Sequence, residues 1–291
     1  MLGVWDMRRK NSTYIFAPEP KKRSRTGCLI LFLAIGFAVV VLGLLTNAAM
    51  NRRLDLQTEK VRVMSLDKKF ENFTLLHISD LHGAEIGLNA DAWRSLLYGK
   101  DFSAVVMTGD MVGAQGDYSP LISLVKTLRQ IKAGVPVYLI AGDDDPTPVM
   151  SELHGNPEVL ADWVRAAQDA GAIYLDRPVS QQVGKRTVWF APEYLYSVDV
   201  PGMLDSLTRQ KQDMESAGQQ FEGEGGAAYR ALCYRLDAIT ASAAAIKAMN
   251  KNDLQIALTH VPLEADYVRE MVAWADESAV FTFRRLTLVL A

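Results

Sequence analysis

Four short stretches of this sequence end in residues that can hold a cation or move a proton. They are Ser79-Asp80-Leu81-His82, Gly109-Asp110, Gly142-Asp143-Asp144-Asp145-Pro146 and Thr259-His260-Val261-Pro262. Each follows directly on a short apolar run. A carboxylate and an imidazole two residues apart, as in Asp80 and His82, can both reach one hard or borderline metal ion. A carboxylate arriving on the next strand can bridge two. Ionised side chains gathered this way repel one another unless a cation neutralises them. Taken singly, each stretch reads as well as loop chemistry. Together, in order and each at the end of an apolar run, they do not follow from core packing. The other two histidines read differently. His77 lies inside the first run, three residues before Asp80, and strand alternation turns it to the opposite face, which predicts a packed core histidine. His154 sits in a polar loop and reads as a surface residue.

The elements that must position these residues are short. Phe73–Ile78, Ala104–Met107, Val137–Ala141, Leu254–Leu258 and Leu286–Leu290 are rich in Val, Ile and Leu and bounded by turn residues. That pattern predicts strands buried on both faces. Helical spacing lies between them. Ser119-Pro120 is a cap and first-turn pair ahead of Leu121, Leu124, Val125, Leu128 and Ile131. Asn156-Pro157 opens a second helical pattern through Leu160, Trp163, Val164 and Ala167, and Leu232, Leu236, Ile239, Ala243 and Ile246 mark a third from Ala227 to Met249. These faces read as ordinary core, and the Gly-rich stretch Gly218–Gly226 as a flexible connector without phosphate-loop spacing. Alternating strand and helix predicts an α/β sheet protein, whose ligands gather beyond the carboxyl ends of strands.

Composition sets the class. At 291 residues and 49% apolar, the chain can bury one good-sized core. A formal net charge of −3 argues against a nucleic-acid partner, which needs a basic surface. One segment inflates the apolar share: Cys28 to Leu45 has no polar residue, and residues 27–50 read as a transmembrane helix in contact with the lipid bilayer. Residues 1–26 carry Arg8, Arg9, Lys10, Lys21, Lys22, Arg23 and Arg25, more basic charge than the polar stalk at 51–60 and its surroundings. The positive-inside rule then places the N-terminus in the cytoplasm and the remainder outside it, in a single-pass protein of the cell membrane. A cleavable signal peptide ending near Thr46-Asn47-Ala48 is the competing reading; the apolar stretch is long for one, which favours an uncleaved anchor. Cys233 stands alone in the globular part, so packing or metal must hold that part together.

LHISDLHG, VVMTGD and ALTHVP resemble three signature blocks of the calcineurin-like metallophosphoesterases. YLIAGDDDP stands where that family usually has Gly-Asn-His-Asp or Gly-Asn-His-Glu. The apolar segment and VRVMSL, read as a strand, are similar to the bacterial membrane-anchored branch. The resemblance implies a four-layer αββα sandwich over residues 61–291, holding two divalent metal ions, manganese, iron or zinc. By position, Asp80 and His82 would hold the first ion, Asp110 would bridge both, and Asp143 with His260 would hold the second. The implied reaction is hydrolysis of a phosphate ester by water that the two ions activate. Two departures stand out. Asp144 occupies the place of the family histidine that assists the leaving group, and a carboxylate brings no positive charge to a developing anion; a protonated Asp144 acting as general acid is the compensating role. Asp143 to Asp145, as three successive carboxylates, would also repel a phosphate dianion. The family further carries Gly-His-x-His after its last strand, and this sequence stops at Ala291, so the expectation is a domain incomplete at its C-terminus. These departures support an alternative of another class, a catalytically impaired metal-binding or phosphate-sensing membrane protein. A purely structural tethered domain is disfavoured by Asp80, His82, Asp110 and His260 standing in register.

Overall fold

The computed structural model describes residues 25–51, 54–63, 66–113, 115–150, 159–219, 223–250, 252–278 and 286–291. The chain forms two units, Met1–Arg53 and Leu54–Ala291. In the first, α1 (Arg25–Asn51) is a continuous helix whose stretch Leu29–Asn47 is long and apolar enough to cross a membrane. Its large side chains, among them Phe32, Leu33 and Phe37, are exposed rather than packed into a core. The basic residues Arg8 to Arg23 lie outside the described residues.

The second unit is built on two four-stranded sheets. One comprises β1 (Leu75–Ile78), β2 (Ala104–Met107), β3 (Val137–Leu139) and β4 (Ala172–Tyr174), all parallel and adjacent in that order. The crossovers carry α2 (Ala90–Leu96), α3 (Ser119–Ile131) and α4 (Asp162–Asp169). The other comprises β5 (Val179–Val183), β6 (Arg186–Pro192), β7 (Leu254–Leu258) and β8 (Leu288–Leu290), with β5 antiparallel to β6 and the rest parallel. Between β6 and β7 the chain makes a helical hairpin of α5 (Val200–Ser216) and α6 (Gly223–Ala248), and α7 (Ala265–Ser278) precedes β8.

Period-two alternation distributes the side chains between layers. Val105, Met107, Val137 and Leu139 face Leu121, Leu124, Val125 and Leu128 of α3 with Trp163 and Val164 of α4. Their neighbours Ala104, Val106, Tyr138 and Ile140 face Val188, Phe190, Leu254, Ile256 and Leu258 of the other sheet. Tyr138 and Phe190 stack across that interface with ring centroids 4.1 Å apart. On the far side, Ala191, Ala257 and Val289 pack under Val268, Met271 and Val272 of α7. The result is the expected order of helices, sheet, sheet and helix.

Several local expectations need correction. The helix expected to open at Asn156-Pro157 starts at Asp162; Asn156 and Pro157 lie outside the described residues. Ser119 is the first residue of α3 rather than its cap, and the Asp117 carboxylate accepts its N–H at 2.9 Å. The Gly-rich stretch is not all connector, since Gly223, Gly225 and Gly226 belong to α6. Residues 61–63 of VRVMSL pair with no strand, and Val61 is exposed; Met64 and Ser65 lie outside the described residues.

Candidate metal centre

Three of the carboxylate and imidazole residues singled out by sequence sit on left-handed backbone: Asp80 (φ 56), His82 (φ 45) and Asp110 (φ 54). Each costs about 1–3 kcal/mol for a residue with a Cβ, and such conformations persist only where the surroundings over-determine them. Here the determinant is the parallel register, which continues past the ends of β1 and β2. Thr108 N–H donates to the Ile78 carbonyl, Asp80 N–H to Gly109, His82 N–H to Asp110 and Gly83 N–H to Met111. The loop after β3 is held as closely. A Cβ on Gly109 would lie 2.6 Å from the Gly142 Cα, and one on Gly142 would overlap the Asp110 carboxylate. Only two glycines let these loops touch.

Asp110 is the centre of the resulting arrangement. It is 4% exposed. Its Oδ1 accepts the Asp144 N–H at 3.0 Å. Its Oδ2 lies 3.7 Å from His82 Nε2 and 3.2 Å from His260 Nε2, so the two imidazoles converge on one oxygen. His82 Nε2 is also 3.7 Å from Asp80 Oδ1, and His260 Nε2 is 2.8 Å from Asp143 Oδ1. The five residues therefore form two donor groups, Asp80–His82–Asp110 and Asp110–Asp143–His260, with all donor atoms of a group within 4.8 Å of one another. Each of the two groups has the donors to hold a metal ion, and mixed oxygen and nitrogen donors suit manganese, iron or zinc alike.

His260 is oriented from behind. It follows β7, and its Nδ1–H donates to the Thr108 carbonyl at 3.0 Å, which turns Nε2 toward the same space as the Asp110 and Asp143 oxygens, where its lone pair can serve as a cation ligand beside them. Burial opposes charge on this ring. The Thr108 carbonyl and the carboxylates of Asp110, Asp143 and Asp80 outweigh that and hold the imidazole above its ordinary pKa. Thr108 also serves His77, whose Nε2 meets the Thr108 hydroxyl at 2.7 Å. His77 is not the packed core residue expected: it lies on the edge strand β1 as an exposed residue, with its Nε2 in a partly buried contact to Thr108. Loss of hydration nevertheless holds its imidazole below the ordinary value, against the pull of Asp80. His154 lies outside the described residues.

The three acids after β3 do different work. Asp143 and Asp144 are exposed, with the Asp144 carboxylate 4.0 Å from His82 Nδ1. Asp145 turns inward, is 8% exposed, and accepts the Val112 N–H at 2.7 Å and the Gly142 N–H at 2.9 Å. The expectation that all three repel a phosphate is corrected for Asp145, which ties the loop after β3 to the loop after β2. Sequence reading also passed over Glu193. The register of β6 against β7 pairs Pro192 with Leu258, so Glu193 sits beside Thr259 at the same sheet edge. Burial pushes its carboxyl up, while the Tyr267 hydroxyl donating at 3.0 Å pulls the other way. No motif marks it; only the end of β6, itself unread, would have pointed there.

The family model of the calcineurin-like phosphoesterases matches residues 73–289. No curated protein matches. Among solved structures, a phosphopantetheinyl hydrolase from Mycobacterium tuberculosis is similar at 15% identity and a TM-score of 0.35, over 74% of this chain and 75% of that one. With a match across both sheets and every loop that brings the acids and imidazoles together, this chain belongs to the calcineurin-like phosphoesterase family of metal-dependent hydrolases.

Proposed function

We propose that this chain is a membrane-anchored phosphoesterase in which Asp80, His82 and Asp110 hold one divalent cation and Asp110, Asp143 and His260 a second. The observation that carries the reading is the Asp110 Oδ2 atom, approached by both imidazoles. Bound there, the cations would supply Lewis acidity and a water nucleophile for attack on phosphorus. The chain's own contribution is positional. Thr108 fixes the His260 tautomer, the Asp144 N–H holds Asp110 by Oδ1 so that Oδ2 points outward, and the glycine pair at 109 and 142 sets the spacing between loops. Asp110→Ala should reduce bound manganese, measured by plasma mass spectrometry after dialysis, to less than about a tenth of wild type with the melting temperature changed little. Two ions retained by that variant would overturn the assignment.

The domain limits that go with this reading are a cytoplasmic segment 1–26, an anchor 27–50, a stalk 51–60 and the catalytic domain from 61, facing outward. A second reading, a phosphate-sensing protein without turnover, is favoured by the exposed Asp144 carboxylate beside His82. It predicts phosphate binding with no release of nitrophenol from an aryl phosphate.

A further inference from the structure

A cavity of about 800 Å³ opens beside the second donor group, walled by Ala141, Thr259 and His260 on one side and by the α5–α6 hairpin on the other. Its size is that of a site for a small organic molecule. Most of its wall is apolar or aromatic: Tyr174 and Tyr194 at the sheet edge, Met203 and Leu207 from α5, Tyr234 and Ile239 from α6. The hairpin is fastened in place at this point. The Tyr234 hydroxyl donates to the Asp176 carboxylate, and Arg177 bonds Asp176 and, at 2.7 Å, Asp237 of α6. Leu195, Val200 and Ile239 pack the hairpin's base.

The charge on this wall narrows what it takes. Its described charged residues besides His260 are Asp176, Glu193 and Arg235. Asp176 is already engaged by Arg177 and Tyr234, and Glu193 by Tyr267. Arg235 is exposed. Nothing among the described lining residues forms the basic cluster that a second phosphate of a nucleotide would need, and the uncharged polar residues that α5 adds, Ser206 and Gln210, are both exposed.

We propose, resting on the phosphoesterase reading, that this cavity seats the alcohol portion of the substrate and that this portion is a large apolar or aromatic group, so the substrate is a phosphate ester of an apolar alcohol. Such an ester is found in a lipid or in a soluble aryl or alkyl phosphate; both present the same chemistry to the wall. An apolar group buried between Tyr194, Met203, Leu207 and Ile239 binds by removal of its surface from water, an effect of roughly tenfold for each modest patch covered.

The test uses the full chain in phosphatidylcholine nanodiscs with manganese and two non-hydrolysable probes, methylphosphonate and 1-naphthylmethylphosphonate, by calorimetry. The naphthyl probe should bind at least about tenfold more tightly. Leu207→Gln and Met203→Gln, both on half-buried positions of a helix, should each pull that ratio to within about twofold. Circular dichroism checks that each variant is folded. Displacement of the naphthyl probe by phosphatidic acid doped into the discs assigns a lipid source, and its persistence assigns a soluble ester. Equal affinity of the two probes, or an unchanged ratio in both variants, overturns the proposal. The phosphate seat is tested apart from the cavity by 1-naphthalenemethanol. If that alcohol binds and responds to Leu207→Gln while neither phosphonate binds, the cavity stands and the phosphoesterase reading falls.

Discussion

Asp144 and His260 flank the shared Asp110 and differ in what can be asked of them. Asp144 is exposed with its carboxylate beside His82, and its N–H holds Asp110; on the phosphoesterase reading a carboxylate there brings no positive charge to a developing anion. Asp144→His should therefore raise turnover on 4-nitrophenyl phosphate toward the roughly 100-fold that one transition-state donor is worth. Asp144→Asn should be neutral or mildly better. An Asn variant that keeps its cations and is nearly inactive would show instead that Asp144 delivers a proton. For His260 the prediction concerns pH. Its imidazole is held above the ordinary value by the Thr108 carbonyl and the neighbouring carboxylates against the pull of burial, so its contribution to stability is fully present below about pH 6.5 and is lost as pH rises through the higher folded value. Urea unfolding of chelator-treated protein should show that slope, and His260→Gln should flatten it. Manganese should reverse the trend, since Nε2 binds a cation only when deprotonated. Asp80, His82, Asp110, Asp143 and His260 were all legible as candidates because their types are rare at the ends of apolar runs. The supporting residues were not. Thr108 acts through its main-chain carbonyl, which any residue has, and Asp145 reads like its neighbours until the loop's direction is known.

Among the elements, the loops after β2 and β3 behave as one part. Asp145 joins them by accepting the Val112 and Gly142 N–H groups. Asp145→Ala strands two donors, Val112 N–H being fully buried, and should cost about 2–5 kcal/mol in chemical denaturation. Asp145→Asn keeps one acceptor oxygen and should cost less. A loss below 1 kcal/mol for the alanine variant would show that water replaces the carboxylate. The same elements show where strand reading succeeded. The apolar runs that became β2, β3 and β7 were visible because parallel strands buried on both faces carry unbroken Val, Ile and Leu; β1 and β8 were found by the same runs but are edge strands only partly buried, which corrects that expectation for them. β5 is an edge strand reading Val-Ser-Gln-Gln-Val and β4 is three residues long, so neither stands out from loop, whereas β6 carries the apolar run Val188-Trp189-Phe190-Ala191 and was legible but passed over. The glycines at the start of α6 have low helix propensity, which the packing of the hairpin overrides.

At the scale of the molecule, α1 presents apolar side chains without a core of its own, and the catalytic unit is closed by its own packing. Removing residues 1–50 should move the protein from the membrane pellet to the soluble fraction with its melting temperature nearly unchanged. Full-length chain recovered in the soluble fraction without detergent would refute the anchor. A different consequence follows from how the centre is threaded. The first donor group comes from the ends of the neighbouring strands β1 and β2, where His82 N–H donates to the Asp110 carbonyl and the adjacent His77–Thr108 bond spans 31 residues. The second group closes only when His260 meets Thr108, across 152 residues. Short loops close early in folding and long ones late. The residues Asp80, His82 and Asp110 can therefore come together while β7 is still unmade, whereas the group that includes His260 cannot.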